Sequence, residues 1–219
     1  MSLDQFWPLF GLRIRTPRLP LRPPTDADAA ELLTVAKAGI HDPSTMPFGV
    51  PWTDSSSPEF ERNGLQYGWR CRADFGPQRW VLGLAVVHEG QLIGVQELSA
   101  TDFPLVRSAE TGSWLGLRHQ GLGFGKEMRR AVLHFAFECL EAEAVVSVAF
   151  ADNPASQRVS LATGYEPNGT QFVERRGSRA EQLRFVITRQ RWLAVREPSR
   201  SSSEFEVTGF EACRSLFGL

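Results

Sequence analysis

The stretch RHQGLGFGKEM, Arg118 to Met128, sets glycines at Gly121, Gly123 and Gly125, immediately ahead of a segment with helical spacing. Glycines in such a place let consecutive backbone N–H groups approach an oxyanion, and the N-terminus of the following helix adds partial positive charge. Register excludes two common phosphate loops. The dinucleotide pattern G-x-G-x-x-G would need its third glycine at Lys126, and the Walker pattern would need glycine at Gln120 and Ser or Thr at Glu127. What remains is Gln120-x-x-Gly123-x-Gly125, with Lys126 at the helix start.

Working outward, Glu110 to Leu117 reads as a strand running straight into this loop. Beyond it, Met128, Ala131, Val132, Phe135, Ala136 and Cys139 keep helical spacing and define a buried stripe. Leu133 and Phe137 lie off that stripe, so the helix should be covered on more than one side. Ala144 to Phe150 reads as a buried strand and Pro154 to Thr163 as a short helix closed by Gly164. Gln171 to Arg175 and Leu183 to Thr188 read as a hairpin about Gly177-Ser178. Upstream, Trp80 to Val87 and Gln91 to Leu98 form a hairpin about Glu89-Gly90. Arg13 to Leu21 reads as one strand, confined to a sheet edge by Pro17 and Pro20. A helix then starts at Thr25 or Asp26 and ends at Gly39. HDPSTMPFGVPW, His41 to Trp52, is an ordered loop, and Ser57-Pro58-Glu59 opens a helix, with proline at its first position, running to about Cys71. The order predicts a mixed α/β (α+β) fold with hairpins flanking a strand-loop-helix-strand-helix centre.

The 219 residues, 42% of them hydrophobic, can fill one large core. With 24 basic against 25 acidic residues the net charge is −1, which offers no general attraction to nucleic acid or an anionic membrane. Cys71, Cys139 and Cys213 form neither a disulfide framework nor a metal-ligand pattern, and fit a reducing cytoplasm. Residues 1–12 read as an N-terminal arm, too short and interrupted to span a bilayer, that packs on the domain or at a homodimer contact. Residues 13–193 form the domain. Residues 194–219 are a polar linker, REPSRSSSEF, and a tail whose Phe205, Val207, Phe210, Leu216 and Phe217 dock on the domain or a second subunit. The histidines share no ligand spacing, and HEGQL from His88 has Leu92 where a zinc site needs its second histidine, so no metal is expected.

Gln120-x-x-Gly123-x-Gly125 between a strand and a long helix resembles the hallmark of the GCN5-related N-acetyltransferase (GNAT) superfamily. TPRLPLRPPTDAD (Thr16 to Asp28), AETGSWLG (Ala109 to Gly116) and DNPASQRVSLATGY (Asp152 to Tyr165) are similar to segments of its ribosomal-protein, or Rim-type, subgroup. The resemblance covers about Thr16 to Trp192. It implies a mostly antiparallel sheet with splayed central strands, and acetyl-CoA as donor. The backbone N–H groups from Gln120 through Gly121, Leu122, Gly123, Phe124 and Gly125 to Lys126 would hold its pyrophosphate. Its pantetheine arm would pair with Trp114 to Leu117, through Trp114, Leu115 and Leu117, where that strand parts from Ala144 to Phe150. Asn153 and Ser156 match positions near the cofactor arm, although Asn153 also suits a helix N-cap.

The reaction expected is direct attack of an amine on the thioester in a ternary complex, with a main-chain N–H near Leu115 stabilising the developing oxyanion. The amine must be neutral: at about pH 7.5 roughly a third of an α-amine is deprotonated but only about 0.1% of a lysine amine. Glu97 and Glu110 are the candidate bases. Val148 stands where some Rim-type enzymes carry glutamate, and Ser160 where many relatives carry a tyrosine acid, leaving Ser156, Ser160 or water to protonate the thiolate. Met46, Phe48, Trp52, Tyr67 and Trp69 are either core or the wall of an acceptor pocket. The acceptor is a protein N-terminus or a small amine. An aminoglycoside is disfavoured because the His41 to Trp52 loop holds only Asp42, and a non-catalytic acyl-CoA sensor is the alternative from another class.

Overall fold

The computed structural model describes residues 3–196 and 204–219. In chain order, β1 (Arg13–Arg15) and β2 (Pro20–Arg22) lead to helices α1 (Asp26–Lys37) and α2 (Glu59–Ala73). The long hairpin of β3 (Arg79–His88) and β4 (Gln91–Thr101) follows, then a single helical turn, α3 (Phe103–Val106), and β5 (Ser108–Leu115). Helix α4 (Phe124–His134), extended by a π-turn at Phe135–Cys139, crosses over to β6 (Ala144–Phe150). The rest is α5 (Pro154–Ala162), β7 (Glu166–Arg175), β8 (Ser178–Thr188), α6 (Arg189–Val195), β9 (Glu206–Thr208) and α7 (Phe210–Cys213).

All strands join one sheet in the order β7-β8-β6-β5-β4-β3-β2-β1-β9. Every pairing is antiparallel except β5 with β6, whose parallel course follows from the α4 crossover between them. That pairing runs only from Ser108↔Ala144 to Thr111↔Ser147. Beyond it the two strands part, so that Gly112 to Leu115 face a gap opposite Val148 to Phe150.

Three local expectations are corrected. Arg13 to Leu21 is a hairpin rather than one strand, because Thr16 and Leu19 close a turn through N–H···O bonds in which the Thr16 hydroxyl also accepts from Leu19 N. It is not the sheet edge either, since β9 pairs with β1 outside it. Pro58 sits one place before the first turn of α2, as its N-cap. The β7–β8 turn falls on Arg176-Gly177, both left-handed (φ 50° and 75°), the geometry that matches strand twist in a two-residue hairpin.

One face of the sheet carries the main core. Trp80 lies 5.1 Å from Phe217 and 5.5 Å from Phe103, and Phe135 and Phe137 of the π-turn are fully buried with them. The C-terminal segment belongs to this core: Phe210, Cys213 and Phe217 are buried in it, with Phe205, Val207 and Leu216 partly buried against it. The linker expected at Arg196 to Phe205 falls largely on residues 197–203, outside the described residues. Leu9 and Leu12 of the N-terminal arm also enter the core.

Helices α1 and α2 cover the other face. The α1 N-terminus is a complete capping box, in which Asp28 N donates to the Thr25 hydroxyl and Thr25 N donates to the Asp28 carboxylate. Arg22 of β2 donates both terminal nitrogens to the same carboxylate, joining the helix start to the sheet.

Two outcomes are expected. Phe217→Ala removes the ring on which Trp80, Phe75 and Phe135 converge and should destabilise by about 3–5 kcal/mol, read as a lowered urea midpoint. Asp28 is held at a pKa of about 2, chiefly by Arg22, below the unfolded value of about 3.9. Its contribution is therefore full above about pH 4 and lost as pH falls through 2. Asp28→Asn should cost about 1–2 kcal/mol at neutral pH and flatten the stability profile between those limits in acid-unfolding curves.

Candidate active site

The gap between β5 and β6 is bridged from below by polar groups. Arg129 of α4 is buried and donates to the Ser147 hydroxyl of β6 (3.1 Å) and the Ser113 hydroxyl of β5 (3.3 Å). Ser147 in turn bonds Ser160 of α5 (3.1 Å), and Thr111 bonds the buried Tyr165 hydroxyl (3.1 Å). This guanidinium bridges the two strands through their serine side chains where the ladder ends. Sequence reasoning missed Arg129. Its only signal was an arginine next to the apolar stripe of α4.

The glycine loop lies at the end of this gap. Gly121 and Gly123 are left-handed (φ 75° and 86°), a conformation L side chains rarely adopt. Gln120 N donates to Leu117 O and Lys126 N to Gly123 O, so these two of the seven expected amides are taken. The five from Gly121 to Gly125 have no protein acceptor among the described residues. The Gln120 side chain donates to Ile40 O and Leu115 O, both at 2.8 Å, and so fastens the loop to β5 and to the segment after α1. Arg18 holds the other side, with its guanidinium on Glu127, its Nη1 on Leu122 O and its plane 4.6 Å from the buried Phe124 ring. Lys126 is exposed. Five unpartnered amides at the start of an α-helix are a donor set suited to a diphosphate. The gap offers strand-like backbone to an extended chain, so the residues present fit coenzyme A.

The strand edge facing the gap is shorter than expected. Leu117 N donates to Gly39 O and Leu115 O accepts from the Gln120 side chain, so the stretch facing the gap is Gly112 to Leu115, which includes Trp114 and Leu115 but not Leu117. Asn153 is the N-cap of α5, accepting from Ser156 N at 3.1 Å, and Ser156 is half-buried there. Ser160 is fully buried with its hydroxyl on Ser147.

On the α1–α2 face a cavity of about 800 Å³ opens beside the gap, and Gly112, Ser113 and Trp114 line both. Glu97 stands in its floor, its carboxylate accepting from the Tyr67 hydroxyl at 3.0 Å. Burial raises the Glu97 pKa above the ordinary carboxylate range, only partly opposed by Tyr67. Glu110, on the same face of β5, is outside the cavity lining and more exposed; desolvation raises its pKa too, opposed by Arg184. Phe48 and Trp52 line the cavity, with Trp52 stacked on Phe60 (5.6 Å) and tilted against Trp114 (6.2 Å). Met46 is buried outside that lining. Cys71 lies in the lining as well, and burial pushes its thiol pKa up, which leaves it protonated and a poor nucleophile.

Residues 18–166 match the family model described as acetyltransferase (GNAT) domain. The ribosomal-protein-serine acetyltransferase of Escherichia coli (strain K12) is 34% identical over 80 residues, 36% of this chain and 44% of that protein. The chain thus matches less than half the length of this curated relative. Among solved structures, a putative ribosomal-protein-serine acetyltransferase from Vibrio cholerae superposes with a TM-score of 0.63 at 23% identity, covering 80% of this chain and 97% of that one. RimJ of Mycobacterium smegmatis, described in complex with CoA-disulfide, gives 0.65 at 19% identity, covering 83% and 92%. At these identities the superpositions establish the fold.

Gly123→Ala forces a methyl group onto a left-handed residue and to 3.4 Å from the Arg18 guanidinium. The strain is about 1–2 kcal/mol, enough to re-aim the free amides. Coenzyme A affinity, measured by calorimetric titration, should fall about tenfold or more.

Proposed function

Because the chain belongs to the acetyltransferase (GNAT) domain family, we propose that it is an acetyl-CoA-dependent N-acetyltransferase acting on a primary amine of a protein N-terminus or a small molecule. The observation that carries this reading is the Glu97 carboxylate, set in a cavity that shares Gly112, Ser113 and Trp114 with the strand gap beside the glycine loop. Acetyl-CoA supplies the acetyl group as a thioester: the N–C bond forms as the C–S bond breaks, and coenzyme A leaves as a thiol.

The chain's own residues do the rest. The free amides of Gly121 to Gly125 hold the diphosphate, and Gly112 to Leu115 orient the extended arm at the exposed strand edge. Glu97 takes a proton from the acceptor, directly or through a water. Its raised pKa improves it as a base, because the weaker acid binds the departing proton more firmly. Tyr67 fixes the carboxylate by donating to it. Ser156, half-buried at the start of α5, is the side chain offered for returning a proton to the thiolate, with water as the other source. The Ser160 hydroxyl is already committed beneath the gap.

Among the described residues no helix is long and apolar enough to cross a membrane. The proposed compartment is the cytoplasm, and the proposed acceptor class includes protein N-termini on the strength of the E. coli relative's name.

Glu97→Gln should lower kcat/KM by about 10²-fold or more at neutral pH. Glu97 acts only when ionised, so the wild-type acid limb should lie above the usual carboxylate range and disappear in the variant. The deficit should shrink at high pH, where the amine is already neutral. A pH–rate profile of thiol release checks this, and an unaltered profile would reject Glu97 and pass the role to Glu110.

A further inference from the structure

The floor of the cavity is a row of three residues on adjacent strands, Gly83 of β3, Glu97 of β4 and Gly112 of β5, paired directly across the sheet. Side chains of such a row point to one face, and here that is the face under α1 and α2. The two glycines flanking the carboxylate are not equivalent. A Cβ built on Gly112 would touch the Glu97 carboxylate at 3.4 Å, so glycine there leaves the base uncovered on the gap side. A Cβ built on Gly83 would meet nothing within 4 Å. Packing does not require glycine at that position, and a strand interior is less stable with it. The empty space over Gly83 is a feature of the cavity itself.

The row also has a direction. Gly112 lies at the gap where the donor's thioester end would be, and Gly83 lies on the far side of Glu97, about 5 Å further along the floor at one strand spacing. A substrate whose amine meets Glu97 from the gap side has open space for the rest of its body over Gly83. The described lining of the cavity is largely apolar and aromatic: it includes Phe10 of the N-terminal arm, Tyr67 and Trp69 of α2, and Val81, two residues before Gly83 on the same face of β3. Among the described residues Glu97 is the one acidic side chain in the lining, which also holds Arg70 and Arg72, with Arg72 turned to Asp26 and Pro24 O. A single protonated amine can be matched there. A second cationic centre would find only Asp26 beside the wall, already paired with Arg72, and would lie near arginine.

Resting on the acetyltransferase reading, we infer that the acceptor is a monoamine with a bulky apolar or aromatic group next to its amino-bearing carbon, seated over Gly83 and selected by the absence of a side chain there. A free arylalkylamine and a peptide with an aromatic N-terminal residue share this chemistry.

The test compares acceptors on the full chain with acetyl-CoA, following thiol release: 2-phenylethylamine, ethylamine, spermidine, and tetrapeptides beginning with Phe or Ser. The aromatic acceptors should exceed ethylamine, spermidine and the Ser peptide in kcat/KM by about tenfold or more. The better of 2-phenylethylamine and the Phe peptide identifies the source. Gly83→Val puts a β-branched side chain into this space, where a Cβ meets nothing within 4 Å, in a strand that favours valine. It should reduce the aromatic-to-ethylamine ratio of kcat/KM by about tenfold, mostly through KM. Preference for spermidine or the Ser peptide, or an unmoved ratio in Gly83→Val, overturns the inference while leaving an acetyltransferase. Quenching of the cavity tryptophans by 2-phenylethylamine gives an independent readout. If no amine releases thiol, but this binding is seen in the wild type and weakened in Gly83→Val, the acetyltransferase reading fails and the apolar amine site stands; absence of both overturns the inference as well.

Discussion

The ladder between β5 and β6 stops at Thr111 and Ser147, and the rest of the site follows from that interruption. Two parallel strands in the middle of a sheet would ordinarily continue pairing, because an unpaired backbone group away from water is costly. Here the strands are bridged at the start of the gap by Arg129, which bonds a serine on each strand from the helix beneath. The arrangement demands a buried cation with no carboxylate partner among the described residues. It is tolerated because Ser113, Ser147 and the face of the Tyr165 ring share the charge, while Arg129 Nε is left without a partner among the described residues. Destabilisation accepted at this point exposes a strand edge that a substrate arm can complete.

Glycine serves three different ends around that edge. At Gly121 and Gly123 it supplies a backbone turn that other residues resist, and the turn aims amides outward. At Gly112 it leaves a carboxylate uncovered on the gap side, and at Gly83 it leaves a void. Only the first use is conformational. The other two are matters of volume, and they arise where the sheet meets the α1–α2 layer rather than in any loop.

The apolar core and the site occupy opposite faces of the sheet. Trp80, Phe135 and Phe217 knit the C-terminal segment, the π-turn and β3 into one aromatic cluster, and β9 covers the outer side of β1. That side supplies stability through dense packing. The other face keeps a large aromatic-walled cavity open between α1, α2 and β3 to β5, tied at its rim by the Arg22–Asp28 pair. The division lets a loosely filled chamber persist on a rigid floor.

How much of this was legible beforehand depended on how local each feature is. The amide-rich loop, a helix start at Thr25 or Asp26, the buried stripe of α4 and the β3–β4 and β7–β8 hairpins could all be read from neighbouring residues, since helical period, strand alternation and turn chemistry are written within a few positions. Glu97 and the aromatic residues Phe48, Trp52, Tyr67 and Trp69 could be named, but not told apart from ordinary core or edge positions. The hairpin hidden in Arg13 to Leu21, the return of β9 to cover it, the length of the β5–β6 ladder and the row Gly83–Glu97–Gly112 could not be read at all. Each is set by register between segments far apart in the chain, and a strand shifted by one residue would present its opposite face. The sequence alone therefore determined the helices and hairpins whose signals are local and which loop can receive an anion. Only the tertiary packing decided where two strands part, which carboxylate faces the opening and how much space lies beside it, because those are relations between surfaces that meet only once the chain has folded.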